Sequence, residues 1–273
     1  MGGKAMQKRQ PAVAGQFYTS DPRRLRQQIE GMIPKDVERR PALGAMCPHA
    51  GYVYSGATAG QTLGRIPVPD NVLILNPNHR SAKPPFGLWS GDAWTTPLGD
   101  CPVDEDLRGR LMGASEWIVD DTFAHLYEHS GEVIVPFLQV CNPNVRINVM
   151  IVSRAPGKLL REVGEVIGKA ISERGEPTLI VASSDMSHYI SAEQAKRLDM
   201  MAIEKVKAMD PDGLLEVVEG NRISMCGVLP VSVMLTACAR LGATSSELVC
   251  YDNSGTASGD YNRVVGYAGV IVS

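Results

Sequence analysis

From residue 41 onward, six short apolar runs alternate with segments of helical period, and this alternation limits the fold more than any other feature of the chain. The runs cover residues 42–47, 71–76, 146–153, 178–183, 246–251 and 264–272, and each reads as a strand. Helical period predicts helices over residues 22–33, 58–65, 104–112, 132–140, 158–173, 192–209 and 228–241. The first of these opens with Asp21 as N-cap and Pro22 at the first helical position. Strands that alternate with helices make an α/β fold with a largely parallel sheet, to which the Trp-, Thr- and Gly-rich stretch between Pro84 and Pro102 adds a predicted hairpin. No internal repeat, low-complexity linker or break in composition divides the 273 residues. Residues 11–273 are therefore expected to form one domain, and the polar residues 1–10 a disordered tail.

Charge and cysteine usage narrow the partners and the compartment. Twenty-seven Lys and Arg face 30 Asp and Glu, a net charge of -3 with no long basic run, so nucleic acid and anionic membrane are poor partners. The longest stretch without Asp, Glu, Lys or Arg, residues 41–64, is interrupted by Pro48, His49 and five glycines, and the next, residues 223–239, falls short of the roughly 20 residues that span a bilayer. Residues 1–10 lack the apolar core of a secretion signal, so the chain is expected to stay in the cytoplasm. The six cysteines include no C-x-x-C pair, which argues against a zinc ribbon and a disulfide framework.

The histidines carry the chemistry. His49, His79 and His188 follow predicted strands by two to five residues, and ligands of open α/β sheets bind beyond the carboxyl ends of strands, so these rings can converge in one crevice. The bland alternative for each is a helix cap or a satisfied surface histidine. Asp185 and His188 are three residues apart, close enough for the carboxylate to orient the imidazole as a general acid/base. An Asx-turn would use the same Asp. Cys226 precedes a predicted helix, whose free N–H groups and dipole would lower the thiol's pKa and favour a thiolate ligand. Taken alone, Cys226 reads as a buried structural cysteine; with two imidazoles it would complete a set suited to zinc, iron or copper.

Two strings imitate other chemistries. His125 to His129 matches the H-x-x-E-H pattern of inverted zinc metalloproteases, which needs a helix carrying both histidines on one face. Residues 164–170 resemble a phosphate loop but have one residue too few between the glycines and Ala170 where Ser or Thr is required. The Gly-rich C-terminal stretch brings Asp252, Asn253 and Asp260 to the end of a strand, either as a wall of the site or as a plain closing loop.

Seven ordered motifs, AGQFY, PHAGYVYSG, LNPNH, EHSGEVIVPFLQ, SSDMSHY, MCGVLP and NSGTASGDYNRVVGYAG, together resemble the Memo-like proteins, named for a mediator of cell motility. Their fold is similar to that of the class III extradiol dioxygenases. The resemblance spans nearly the whole chain and implies a three-layer α/β/α sandwich with a mixed sheet and a metal-capable crevice. Carried over to this chain, it implies His49, His79 and Cys226 as metal ligands, His188 with Asp185 as the acid/base, and Tyr54 and His129 as pocket residues. A thiolate where the dioxygenases place a carboxylate departs from the oxygen-activating pattern. Arg80, Leu229 and Ile134 stand where some relatives carry histidine.

Three functions follow as expectations. One is a redox protein holding a single iron or copper ion, with His188 moving a proton. Another is a non-catalytic module that binds a peptide or small anionic ligand, with Arg80 and Asn253 as contacts. Animal members' association with phosphotyrosine segments points that way. The third is zinc-dependent hydrolysis by the same residues. The frequent placement of prokaryotic relatives near radical-SAM proteins implies a functional link to such an enzyme. An oligomer of identical chains is a further expectation, with the Trp89 and Trp94 hairpin as its surface or as a pocket lid.

Overall fold

A computed structural model of the chain describes residues 6–80 and 84–273. Its strands are β1 (Lys8–Arg9), β2 (Gly44–Cys47), β3 (Asn71–Pro77), β4 (Phe86–Leu88), β5 (Ala93–Thr96), β6 (Gly99–Pro102), β7 (Ile118–Asp120), β8 (Arg146–Val152), β9 (Thr178–Ser183), β10 (His188–Ile190), β11 (Ser246–Asn253) and β12 (Val264–Val272). The helices are α1 (Pro22–Met32), α2 (Tyr52–Leu63), α3 (Glu105–Ala114), α4 (Thr122–His125), α5 (Val135–Cys141), α6 (Gly157–Arg174), α7 (Ala192–Lys207), α8 (Pro211–Gly220), α9 (Val228–Arg240) and α10 (Gly255–Ser258). A single 3₁₀ turn, Glu132–Ile134, leads into α5.

The main sheet runs β10-β12-β2-β9-β3-β8-β4-β7, with β11 on β12. Its centre, β2, β9, β3 and β8, is parallel, and β12 and β4 flank that centre antiparallel. Central strands are buried on both faces, so β3 is apolar over most of its length, and its alternate residues serve two separate cores. Leu73 and Leu75 pack toward α6, α8 and α9, whereas Val72 and Ile74 pack toward α1, α2 and α5. This is the three-layer α/β/α sandwich with a mixed sheet that the resemblance implies.

Glycines set two of the helix contacts. In α6, a Cβ on Gly164 would lie 2.6 Å from Thr236 Cβ and one on Gly168 would lie 2.8 Å from Ala237 O, so the string that imitates a phosphate loop is the face on which α6 meets α9. In α2, a Cβ on Gly60 would lie 2.6 Å from Met32 O, so the absence of a side chain at Gly60 lets α1 and α2 meet backbone to backbone. Predicted only from residue 58, α2 begins at Tyr52, directly after the His49 turn. The unpredicted α8 opens on Pro211 with Asp210 as N-cap, its side chain accepting from Gly213 N.

Three expectations are corrected. Residues 1–5 lie outside the described residues, but Lys8 and Arg9 are not part of a disordered tail: they pair parallel with Ala93 and Trp94, and Arg9 is fully buried. The hairpin β5–β6 joins β1 in a separate three-stranded sheet rather than extending the main one. Trp89 and Trp94 are each 1% exposed, so they can serve neither as a lid nor as an association surface. Among the described residues, no helix is long and apolar enough to cross a membrane.

Candidate metal centre

Because β2, β9 and β3 lie side by side and run parallel, their carboxyl ends open on one crevice. Beyond β2 the chain turns through Pro48 to His49; beyond β3 it passes Asn78 to His79; beyond β9 it passes Ser184 to Asp185. His129 joins them from the segment between α4 and the 3₁₀ turn. Ring centroids are 5.3 Å apart for His49 and His79, 5.5 Å for His49 and His129, and 4.9 Å for His79 and His129. One nitrogen from each ring lies within 4.8 Å of the other two, an arrangement that could hold a metal ion. Nitrogens about 2.1 Å from one ion are at most about 4.2 Å apart, so small ring rotations suffice to load it.

Hydrogen bonds assign the tautomers. Ser183 Oγ donates to Ser130 O at 2.6 Å, so its lone pair must accept the His49 Nδ1–H at 2.8 Å. His49 Nε2 is then an unprotonated lone pair. His79 Nδ1 lies 2.9 Å from Glu128 Oε1, and an ionised carboxylate only accepts, so His79 Nε2 is likewise free to ligate. Burial alone would raise the Glu128 carboxyl, but hydrogen bonds from the His79 ring, Ser130 and the His79 backbone hold it well below the usual carboxylate range. Burial, reinforced by His79, pushes the His49 imidazole down to about 3, and burial with His49 beside it pushes His129 down to about 4. A metal requires neutral imidazole, which burial secures at His49 and His129, and the hydrogen bonds made by Nδ1 of His49 and of His79 leave Nε2 of each as the nitrogen that can ligate.

Cys226 stands beside this trio. Its Sγ lies 3.2 Å from His49 Nε2 and accepts from Asp185 N at 3.3 Å. The expected lowering of its pKa by the start of α9 is overturned: burial, then the Asp185 charge, push the thiol up. Asp185 does not orient His188 either. Its Oδ1 accepts from His49 N at 2.7 Å and its Oδ2 is 4.0 Å from His49 Nε2, while burial raises its own pKa. His188 sits on edge strand β10, with Nδ1 2.9 Å from Ser224 O, which leaves its Nε2 as the proton-accepting nitrogen.

The other predicted contacts are scattered. Tyr54 lines a cavity of about 360 Å³ with Tyr189, Asp260, Arg263 and Tyr267. Tyr189, next to His188, has a φ of 62°, which is strained for a side chain of that size, and the Arg263 guanidinium lies 4.9 Å from its ring centroid. Arg80 is exposed, its backbone N–H donating to Asn78 Oδ1. Asn253 caps a turn, its Oδ1 accepting from Gly255 N. A larger cavity, of about 800 Å³ between α6, α8 and the start of α9, contains no histidine or cysteine.

The metalloprotease pattern fails on geometry. The helix ends at His125, which is fully buried with Nε2 2.9 Å from Gly87 O and its ring against Trp89 and Trp94. His129 faces the crevice, so the two histidines share no site. Sequence reasoning missed Ser183 and Glu128 as ring-orienting residues, although both lie inside quoted motifs, SSDMSHY and EHSGEVIVPFLQ. It also missed Phe17, whose ring packs 4.9 Å from that of His129.

Comparison with known proteins gives the family and the fold. The chain is 15% identical to an uncharacterised protein of Escherichia coli K12 whose crystal structure it matches with a TM-score of 0.51, over 82% of this chain and 98% of that one, a likeness of fold alone. It is 43% identical to a MEMO1 family protein of Methanosarcina barkeri, over 97% of this chain and 99% of the relative. A MEMO1 family protein of Aquifex aeolicus is 39% identical over the same shares, and one of Methanopyrus kandleri is 38% identical over 96% and 98%. The Memo-like protein profile matches residues 9–271, a span that contains the histidine cluster, both residues that orient its rings, and Cys226. With relatives this similar over almost their whole length, the chain belongs to the Memo-like family.

Proposed function

We propose that the chain binds one transition-metal ion through His49, His79 and His129, with Cys226 as an additional soft donor beside His49, and uses it in redox chemistry on a small organic substrate. The observation that carries this reading is the pair of fixed tautomers: Ser183 and Glu128 each take the Nδ1 proton of one ring, so the lone pairs of His49 and His79 remain for a ligand. Bound iron or copper would supply a redox couple and coordination positions for substrate, and a thiol near imidazoles suits those metals. His188 holds its Nδ1 proton against Ser224 O and can accept a proton at Nε2. Tyr54, Tyr189 and Tyr267 would orient a planar substrate in the cavity they line, with Arg263 as its anion contact.

The all-imidazole trio favours one second reading, zinc-dependent hydrolysis, since three histidines are also a catalytic zinc set. Elemental analysis of protein purified with and without air, for wild type and His49→Ala, separates the two. Near-stoichiometric iron or copper, lost in the variant and accompanied by oxygen uptake with a catechol, supports redox chemistry. Zinc alone supports hydrolysis. Failure of wild type to take up any metal on reconstitution would reject both and leave a ligand-binding pocket.

A further inference from the structure

Glu128 and His129 sit on a segment, residues 125–132, that pairs with no strand and is helical only at its two ends. Something else must hold it, and one side chain grips it at three points. Arg9 donates from Nε to His125 O, from Nη2 to Glu128 O and from Nη1 to Glu132 Oε2, each at 2.7 Å. The guanidinium is fully buried, 4.2 Å from the centroid of the Trp94 ring, and the carboxylate it meets is saturated. Glu132 also accepts from Ala12 N, Val13 N and the Tyr18 hydroxyl. The same N-terminal strap reaches the other side of the crevice, where Phe17 O accepts from Tyr52 N at the start of α2, three residues past His49. Its Phe17 ring rests against His129.

We infer that Arg9 is a positioning residue of the metal centre, a role that rests on the metal-binding reading above: its fork fixes the backbone on both sides of Glu128 and His129. The Glu128 carboxylate can meet His79, and the His129 ring can face His49, only when that backbone is fixed. A planar guanidinium with five N–H donors in a rigid fork is required, because a lysine ammonium in the same place cannot span two carbonyls and a carboxylate. The buried ion pair is in itself a poor source of stability, so its presence beside the crevice points to placement of the segment rather than to general cohesion.

The test uses Co²⁺ as the probe and the full chain. Arg9→Met keeps the apolar stem without the fork, Arg9→Lys keeps charge alone, and Leu25→Ala empties a core position in α1 that makes no hydrogen bond to residues 125–132. The expected result is Co²⁺ binding weakened at least about ten-fold in Arg9→Met, the range seen when groups that orient metal ligands are removed. Arg9→Lys should lie between, Leu25→Ala should bind as wild type, and the Co²⁺ visible spectrum should change in the Arg9 variants alone. Histidine ring ¹⁵N shifts of metal-free protein provide a second readout, with His79 losing its fixed tautomer in Arg9→Met. Wild-type Co²⁺ affinity and an unchanged His79 tautomer in a folded Arg9 variant would overturn the inference, as would an equal loss of affinity in Leu25→Ala. If Arg9→Met does not fold, Arg9→Lys decides by the same two readouts. Absence of Co²⁺ binding in wild type would instead reject the metal reading, and the ¹⁵N shifts would then judge Arg9 alone.

Discussion

Replacing Glu128 by glutamine isolates one charge at the centre of the site. The carboxylate accepts four hydrogen bonds, from His79 N at 2.7 Å, His79 Nδ1 at 2.9 Å, Ser130 N at 3.0 Å and Ser130 Oγ at 2.7 Å. Three of these converge on Oε1, so the least damaging placement of a glutamine turns its NH₂ toward His79 N. That costs one bond and sets two donors face to face, while the remaining three lose their charge assistance. Hydrogen bonds to charged groups are worth about 1.5–3 kcal/mol against about 1 for neutral ones, so one lost bond and three weakened ones cost about 3–9 kcal/mol, an upper bound because a neutral amide is cheaper to bury than a carboxylate. Its His79 ring stays in place but becomes less basic, and metal affinity should fall about 10- to 100-fold, or about 1.4–2.8 kcal/mol. Chelator-competition titration at pH 7.5 and urea melts of metal-free protein measure the two effects. Because the folded-state carboxyl is held below its ordinary value of 4.5, its contribution is present above pH 4.5 and fades as pH drops further, so the gap between wild type and variant should narrow only there. An affinity within two-fold of wild type would refute the role given to Glu128.

Ser183→Ala removes the acceptor for His49 Nδ1–H, so metal binding should weaken about ten-fold while the fold is kept; circular dichroism and the same titration check this. Metal-free protein should lose stability as pH falls from 6.5 toward 4, because the unfolded chain takes up protons that buried His49 and His129 refuse. The slope is about 1.4 kcal/mol per pH unit for each ring, and His49→Gln should flatten it in urea melts. Trp89→Ala should destabilise by about 3–5 kcal/mol without altering oligomeric state, as read by urea melts and light scattering, since the ring is buried within the chain.

The sheet was legible because its central strands are short apolar runs with sharp ends: residues 178–183 and 264–272 were read to the residue. The two-residue β1 was not, since Lys8 and Arg9 carry no apolar signal and meet their partners, Asp100 and Glu132, far along the chain. Glycines hid the start of α2, because Gly51 and Gly56 read as a turn until Met32 is seen packed on Gly56. In the site, His49 and His79 were visible from strand-end position alone. Asp185 was assigned to His188 by proximity in sequence, whereas strand order delivers it to His49, and no local spacing encodes that β9 lies beside β2. The thiol's pKa was misjudged for a related reason: the dipole at the start of α9 is local, but the desolvation and the Asp185 charge that outweigh it come from tertiary packing.

The order β2-β9-β3 also dictates when the site can come into being. His49 and His79 are 30 residues apart, but the strand that separates β2 from β3 in space arrives about 130 residues later in the chain, and it brings Ser183 and Asp185. Loops of that length close late, so the crevice assembles only when the sheet is nearly complete. An ion therefore has no nucleus to template, unlike the metal of a zinc finger. Added metal should leave the refolding rate of the denatured chain unchanged and slow its unfolding instead, making occupancy a brake on turnover of the finished protein rather than an aid to its birth.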